Sequence, residues 1–233
     1  VDGYDSLQMG HASREDDFEV TCSKPVSRGD VVGAIHHYEY VPVGDVVFTV
    51  IKTELWNTSG KSMLIHFSVV SHLLDFGSIT LQRLTDPDQD WGLPAGTDTT
   101  FHQPLGGFWT GAEGPDSEWT VGYGSCSSDG RSAAFTENYG TISEAVDLCD
   151  PDGITNDIGL VFSTTHDFDD GSVFERSFVL TTGATAAEAQ LEWTSDRESI
   201  CGDSWDHWMS PFYEDCIPSG GFPPDLPEEG PTI

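Results

Sequence analysis

Over most of the middle of the chain, apolar and polar residues alternate with a period of two. Between residues 46 and 56, Val46, Phe48 and Val50 fall on one side and Val47, Thr49 and Ile51 on the other. Successive side chains of an extended chain point to opposite faces, so this pattern predicts a strand. Asn57-Thr58-Ser59-Gly60 is a turn sequence, and residues 63–70 are strand-like again, so the two runs predict a β-hairpin. Val31-Val32-Gly33-Ala34-Ile35, continuing to residue 41, is rich in β-branched and aromatic residues and predicts a strand ahead of the hairpin. Residues 77–84, 119–123, 132–137, 158–163 and 173–181 predict further strands, separated by Asp- and Gly-rich turns. One segment breaks the period. Thr185 and Glu188 stand in capping-box spacing, and Ala186, Ala187, Ala189 and Leu191 are helix formers, which predicts a short helix over 185–193. Roughly eight or nine strands and one short helix predict an all-β fold, an antiparallel β-sandwich with long Asp/Gly/Pro-rich loops.

The pattern fades at both ends. Residues 1–30 are polar and acidic and read as an N-terminal arm, and residues 31–195 as the sandwich domain. Residues 196–217 carry two cysteines with Trp205, Trp208, Phe212 and Tyr213, a disulfide-clasped aromatic segment. Residues 218–233 are rich in Pro and Gly and can form neither helix nor internal strand, so they read as an extended tail.

Composition narrows the partners. Lys and Arg number 9 against 40 Asp and Glu, a formal charge of −31 over 233 residues. Such a chain repels nucleic acid and anionic membrane surfaces. With 37% hydrophobic residues it still has the apolar mass for a packed core, and no run approaches the roughly 18 apolar residues of a membrane helix. The numbering begins at Val1, and a removed secretory signal is the expectation. Five cysteines, none in CxxC spacing, fit an oxidising, extracellular or cell-surface setting. The sequence-local pairings are Cys126 with Cys149 and Cys201 with Cys216, which leaves Cys22 over, as an inert core thiol or a link to another chain.

Several features between residues 46 and 193 occur together: the Asn-Thr-Ser-Gly hairpin, the Thr85-Asp86-Pro87-Asp88-Gln89-Asp90 loop, Thr120-Val121-Gly122-Tyr123-Gly124, and the strand-to-helix step from Phe178 to Glu188. In this order the chain resembles galactose-mutarotase-like super-sandwich modules of secreted bacterial proteins, over about two thirds of its length. The resemblance implies a fold. Enzymatic members place His and carboxylate groups in a concave sheet, and those positions are not matched here.

Candidate chemistry is concentrated in the loops. Asp86, Asp88 and Asp90 place carboxylates on alternate residues, and Asp150, Asp152 and Asp157, then Asp167 and Asp169, make similar clusters. Calcium takes six to eight oxygen ligands and is the ion such clusters suit, the first cluster best, although none follows the EF-hand pattern. Trp91, Phe108, Trp109 and Trp119 lie in or beside a long connection over 91–118, where aromatics stack on sugar rings, anchor an interface, or roof the core. Asn57-Thr58-Ser59 is a glycosylation sequon at the hairpin tip. Neither a HExxH nor a GxSxG motif is present, so no catalytic residue is assigned.

Two functions fit. The first is a secreted structural subunit of an extracellular filament or surface layer, a homo-oligomer or polymer whose arms lie on the next copy and whose acidic charge is bridged by calcium. The second is a carbohydrate-binding or carbohydrate-active module with a glycan as partner.

Overall fold

The computed structural model describes residues 18–41, 44–72, 78–85, 87–102, 109–126, 131–136, 153, 155–167 and 173–201. They form eleven strands and one helix: β1 (Glu19–Arg28), β2 (Val31–Tyr40), β3 (Phe48–Asn57), β4 (Ser62–Ser71), β5 (Ser78–Thr85), β6 (Asp98–His102), β7 (Trp109–Glu113), β8 (Thr120–Ser125), β9 (Arg131–Thr136), β10 (Thr155–Asp167), β11 (Val173–Gly183) and α1 (Ala186–Ile200). Every pairing is antiparallel, in the order β1-β2-β3-β4-β11-β8-β7-β6-β10-β5, with β9 also on β10.

The long strand β10 folds this sheet into two layers. Its first residues, Thr155 to Asp157, pair with β6. From Ile158 onward it pairs with β9, and from Leu160 with β5. The β5–β10–β9 part covers one face of the larger sheet, since Ile79, Leu81 and Leu160 pack in the same core as Val50, Ile65, Phe67, Phe101, Tyr123 and Phe178. That covered side is the inner face. Along β4 the alternation is plain: Met63, Ile65, Phe67 and Val69 face the small sheet, and Leu64, His66, Ser68 and Val70 face the other way. Each fully buried side chain of this size contributes about 1.5–3 kcal/mol over its exposed state.

On the outer face, α1 lies over β11, β8 and β7. Trp193 and Ala189 of the helix pack with Trp109 and Val179. The indoles fit because the strands carry glycines beneath them. A Cβ at Gly122 would fall 2.5 Å from the Trp109 ring, and one at Gly124 would fall 1.9 Å from Trp193 Nε1. The Gly-x-Gly of β8 is thus a trough for two tryptophans.

The helix start is locked by its own capping box, by the β3–β4 turn and by β7. Thr185 accepts the Glu188 amide at 3.2 Å, and Glu188 reaches back to the Ala184 amide at 3.0 Å. Lys61, in the β3–β4 turn, pairs with Glu188 and, together with the Ala184 amide, holds its carboxyl below the usual range. Glu113 at the end of β7 accepts the Ala186 amide at 3.0 Å, where a carboxylate also meets the positive end of the helix.

Four expectations are corrected. The polar arm placed at 1–30 is strand from Glu19 onward. β1 is mostly exposed and has only one paired neighbour among the described residues, so its sequence shows no buried stripe. The 91–118 connection holds two strands, β6 and β7, which are short and, in β7, interrupted by the Gly111 that Trp109 needs.

The third concerns cysteine pairing. Cys126 bonds Cys201, not Cys149, so the local partner Cys216 is also excluded for Cys201. After β11 the chain reverses into α1, which therefore runs alongside β8 in the same direction. The 6 residues of β8 span about 20 Å and the 15 of α1 about 22 Å, so the two ends meet. Cys22 is disulfide-bonded as well, not an inert thiol. The boundary placed at 195 falls inside α1. Cys149, Cys216 and the tail at 218–233 lie outside the described residues.

Candidate functional site

Two loops at one end of the larger sheet are tied together by a reciprocal pair of aspartates. Asp90 Oδ2 accepts the Asp116 amide at 2.6 Å, and Asp116 Oδ2 accepts the Ala95 amide at 2.6 Å. The first loop, 87–97, is closed on itself by the Leu93 amide on the Asp90 carbonyl (2.7 Å) and the Gly96 amide on the Leu93 carbonyl (3.0 Å). Gln89 also anchors it to the Ala112 carbonyl of β7. The second loop, between β7 and β8, is closed by the Gly114 amide on the Trp119 carbonyl (2.9 Å) and the Glu118 amide on the Gly114 carbonyl (2.8 Å). Gly114 is required there, because a Cβ would lie 2.5 Å from Asp90 Oδ1. Glu118 holds a left-handed φ of 60°, a strained backbone for a residue with a side chain, which the surrounding bonds sustain.

Asp90 is fully buried. Burial pushes its carboxyl up, but the Ser117 hydroxyl and the amides of Asp116 and Ser117 outweigh burial and hold it below the usual range. It is ionised and engaged with backbone donors, a brace between loops.

The brace holds two indoles out into solvent. Trp91 is 75% exposed and Trp119 is 55% exposed, with Leu93 exposed beside Trp91. Tryptophan is on average a highly buried residue, so two such rings on adjoining rigid loops form an unusual surface. Asp116 and Glu118 are exposed around them. Exposed indoles and exposed carboxylates carried on the same two loops suit a ligand with apolar ring faces and hydroxyl-bearing rims.

The other residues singled out in the sequence are dispersed. Trp109 is buried beneath α1 and cannot meet a ligand, because the glycine trough draws its ring into the core. Phe108 lies outside the described residues, as do Asp86, Asp150, Asp152, Asp169 and the side chain of Asp167. Asp88 is half-buried in the first loop, and Asp157 faces Asp98 across β10 and β6. Among the described residues no group of three or more His, Cys, Asp and Glu side chains gathers as a metal site. Asn57 is exposed, and its Oδ1 accepts the Ser59 amide (3.0 Å) and hydroxyl (2.7 Å), the local turn expected of the sequon. Sequence reasoning passed over Asp116 and Glu118; the Pro115-Asp116-Ser117 turn was the available signal.

One polar cluster lies on the outer face. His66 Nδ1 stands 2.8 Å from Ser177 Oγ, and Nε2 lies 3.9 Å from Glu175 Oε1. The three residues stand in the order of a nucleophile, base and acid, but burial pushes the His66 pKa down to about 3. The His66–Ser177 hydrogen bond joins β4 to β11 on that face. No described helix is long and apolar enough to cross a membrane.

No family model matches the chain, and no curated protein sequence matches it. Similar solved structures include the heparan sulfate lyase HepC from Pedobacter heparinus, 8% identical with a TM-score of 0.45, covering 73% of this chain and 23% of that one. A bacterial glucoamylase complexed with acarbose is 8% identical with a TM-score of 0.44, covering 83% and 29%. A putative aldose 1-epimerase from Klebsiella pneumoniae is 8% identical with a TM-score of 0.32, covering 77% and 58%. The chain spans about a quarter of the length of the first two.

Proposed function

We propose that this chain is a carbohydrate-binding module of a secreted protein, taking a neutral glycan on Trp91 and Trp119. The observation that supports the reading is the pair of exposed indoles held on loops that Asp90 and Asp116 brace against each other. Rigid placement matters because sugar rings bind weakly, and a platform ordered in advance loses little entropy on binding. The formal charge of −31 disfavours an acidic polysaccharide, whereas hydroxyl groups can donate to the surrounding carboxylates. The Cys126–Cys201 disulfide is compatible with secretion. A self-associating, calcium-bridged subunit remains the second reading of the sequence. Its expected arms are 1–30 and 218–233; residues 1–17 and the tail lie outside the described residues, and Glu19–Arg28 is strand β1.

Affinity electrophoresis through gels containing xylan, glucomannan, mixed-linkage β-glucan or, as an acidic control, heparin tests the proposal. Retardation in at least one neutral gel, lost in Trp91→Ala and in Trp119→Ala, is expected. Equal mobility in every gel, or retardation only by heparin, would overturn it.

A further inference from the structure

A third exposed tryptophan stands at the same end of the larger sheet. Trp56, near the end of β3, is 52% exposed, and its position follows from strand register. Trp56 pairs with Val32 on β2 and with Met63 on β4; Met63 pairs with Leu180 on β11, and Leu180 with Tyr123 on β8. Cross-strand partners share a face, so Val32, Trp56, Met63, Leu180 and Tyr123 make one continuous row on the inner face. Val32 is itself exposed and Met63, Leu180 and Val121 are only partly buried, whereas Tyr123 is buried beneath β5, so the uncovered part of the face passes from Leu180 to Val121. Along β8 the same face continues outward from Tyr123 to Val121, and two residues further lies Trp119.

This register places Trp56 at a definite remove from the braced loops. From β3 to β8 there are three strand spacings, about 14 Å across the sheet. From Tyr123 to Trp119 there are four residues, about 13 Å along the strand. A single sugar ring cannot reach both indoles, but an extended chain of several rings can. The surroundings of Trp56 suit such a chain. Two residues before it on the same face, Glu54 is paired to Lys52, with Nζ and Oε1 2.7 Å apart. That pair sets a donor and an acceptor beside the indole, and a sugar hydroxyl is both. Paired opposite charges add no local pull on an anion, so the overall negative charge still selects against acidic chains.

We infer that Trp56 is a distal subsite, and that the ligand class is an extended neutral polysaccharide lying from Trp56 over Met63, Leu180 and Val121 toward Trp119. The inference rests on the glycan-binding reading of Trp91 and Trp119. It adds that affinity grows with chain length, because the far end of a long ligand gains a second stacking contact already close at hand.

Isothermal titration with xylan, mannan and β-glucan oligomers from dimer to hexamer, on wild type, Trp56→Ala, Trp56→Phe, Trp91→Ala and Trp119→Ala, tests this. Circular dichroism checks each variant's fold. The expected result is that Trp56→Ala leaves dimer affinity within about twofold and weakens hexamer affinity about tenfold, the scale of losing one aromatic contact. Trp56→Phe retains part of the hexamer's advantage. If Trp56→Ala weakens dimer and hexamer alike, or neither, the distal subsite is overturned, while the Trp91 and Trp119 variants decide the parent reading separately. Loss of length dependence in Trp91→Ala with Trp56→Ala silent would keep the parent reading and reject the extension. No binding by any oligomer would overturn both.

Discussion

The indole of Trp193 lies against Gly124 so closely that a Cβ there would fall 1.9 Å from Nε1. That contact seats α1 on the sheet. Gly124→Ala should therefore force Trp193 and the helix outward, an overpacking that costs about 1–3 kcal/mol. Urea unfolding monitored by tryptophan fluorescence reads the loss. A midpoint unchanged from wild type would mean that the helix is not seated there.

Peptide mapping without reduction should recover Cys126 joined to Cys201. Replacing both by serine releases a loop with a sequence separation of 75, for which the chain-entropy model gives about 4 kcal/mol. A peptide linking Cys126 to Cys149 would contradict the assigned helix path.

His66 makes stability depend on pH. Burial pushes its pKa down to about 3 from the model-peptide value of 6.5, so the unfolded chain binds a proton that the folded chain refuses. Stability from this group is complete above the unfolded value and is lost as pH falls from about 6.5 toward 3. Between neutrality and about pH 5 the loss is about 2 kcal/mol, in a range above most carboxylate titration. His66→Asn should flatten the dependence over that interval. Parallel slopes for the two proteins would show that His66 is not buried in its neutral form.

Asp90 touches no solvent, yet its loss should reach the binding surface. Asp90→Ala frees the Asp116 amide and loosens both loops, so polysaccharide affinity should fall several-fold and cleavage of the 87–97 loop by a broad protease should quicken. Asp90→Asn keeps an acceptor for the amide and should lose less. Unchanged affinity in Asp90→Ala would mean that the indoles do not depend on the brace.

Much of the scaffold was readable in the chain. β3 and β4 read as strands because both their faces are buried, Phe48, Val50, Ile65 and Phe67 under the small sheet and Ile51, Leu55 and Leu64 on the other side, and Thr185 with Glu188 announced the start of α1. Other elements depend on partners distant in sequence. β7 carries Trp109, whose burial needs both Gly122 and a helix about eighty residues further on, so nothing local distinguishes it from a loop tryptophan such as Trp91. The disulfide follows the same logic, since its register is set by how α1 runs beside β8. At the candidate site, Trp91 and Trp119 were visible as loop aromatics, but the Asp90–Asp116 brace was not. Asp90 looked like one of several acidic loop residues until the fold brought the second loop against it. Trp56 was hidden as an ordinary strand residue, because only the breadth of the small sheet decides which part of the inner face is left uncovered.

The central claim is that Trp91 and Trp119 together form the glycan platform. Isothermal titration of the Trp91→Ala/Trp119→Ala double variant against the neutral polysaccharide that retards wild type tests it most directly, with thermal melting to show that the fold is intact. The account predicts a wild-type melting transition with heat of binding abolished. Binding retained at wild-type affinity by a folded double variant would contradict it.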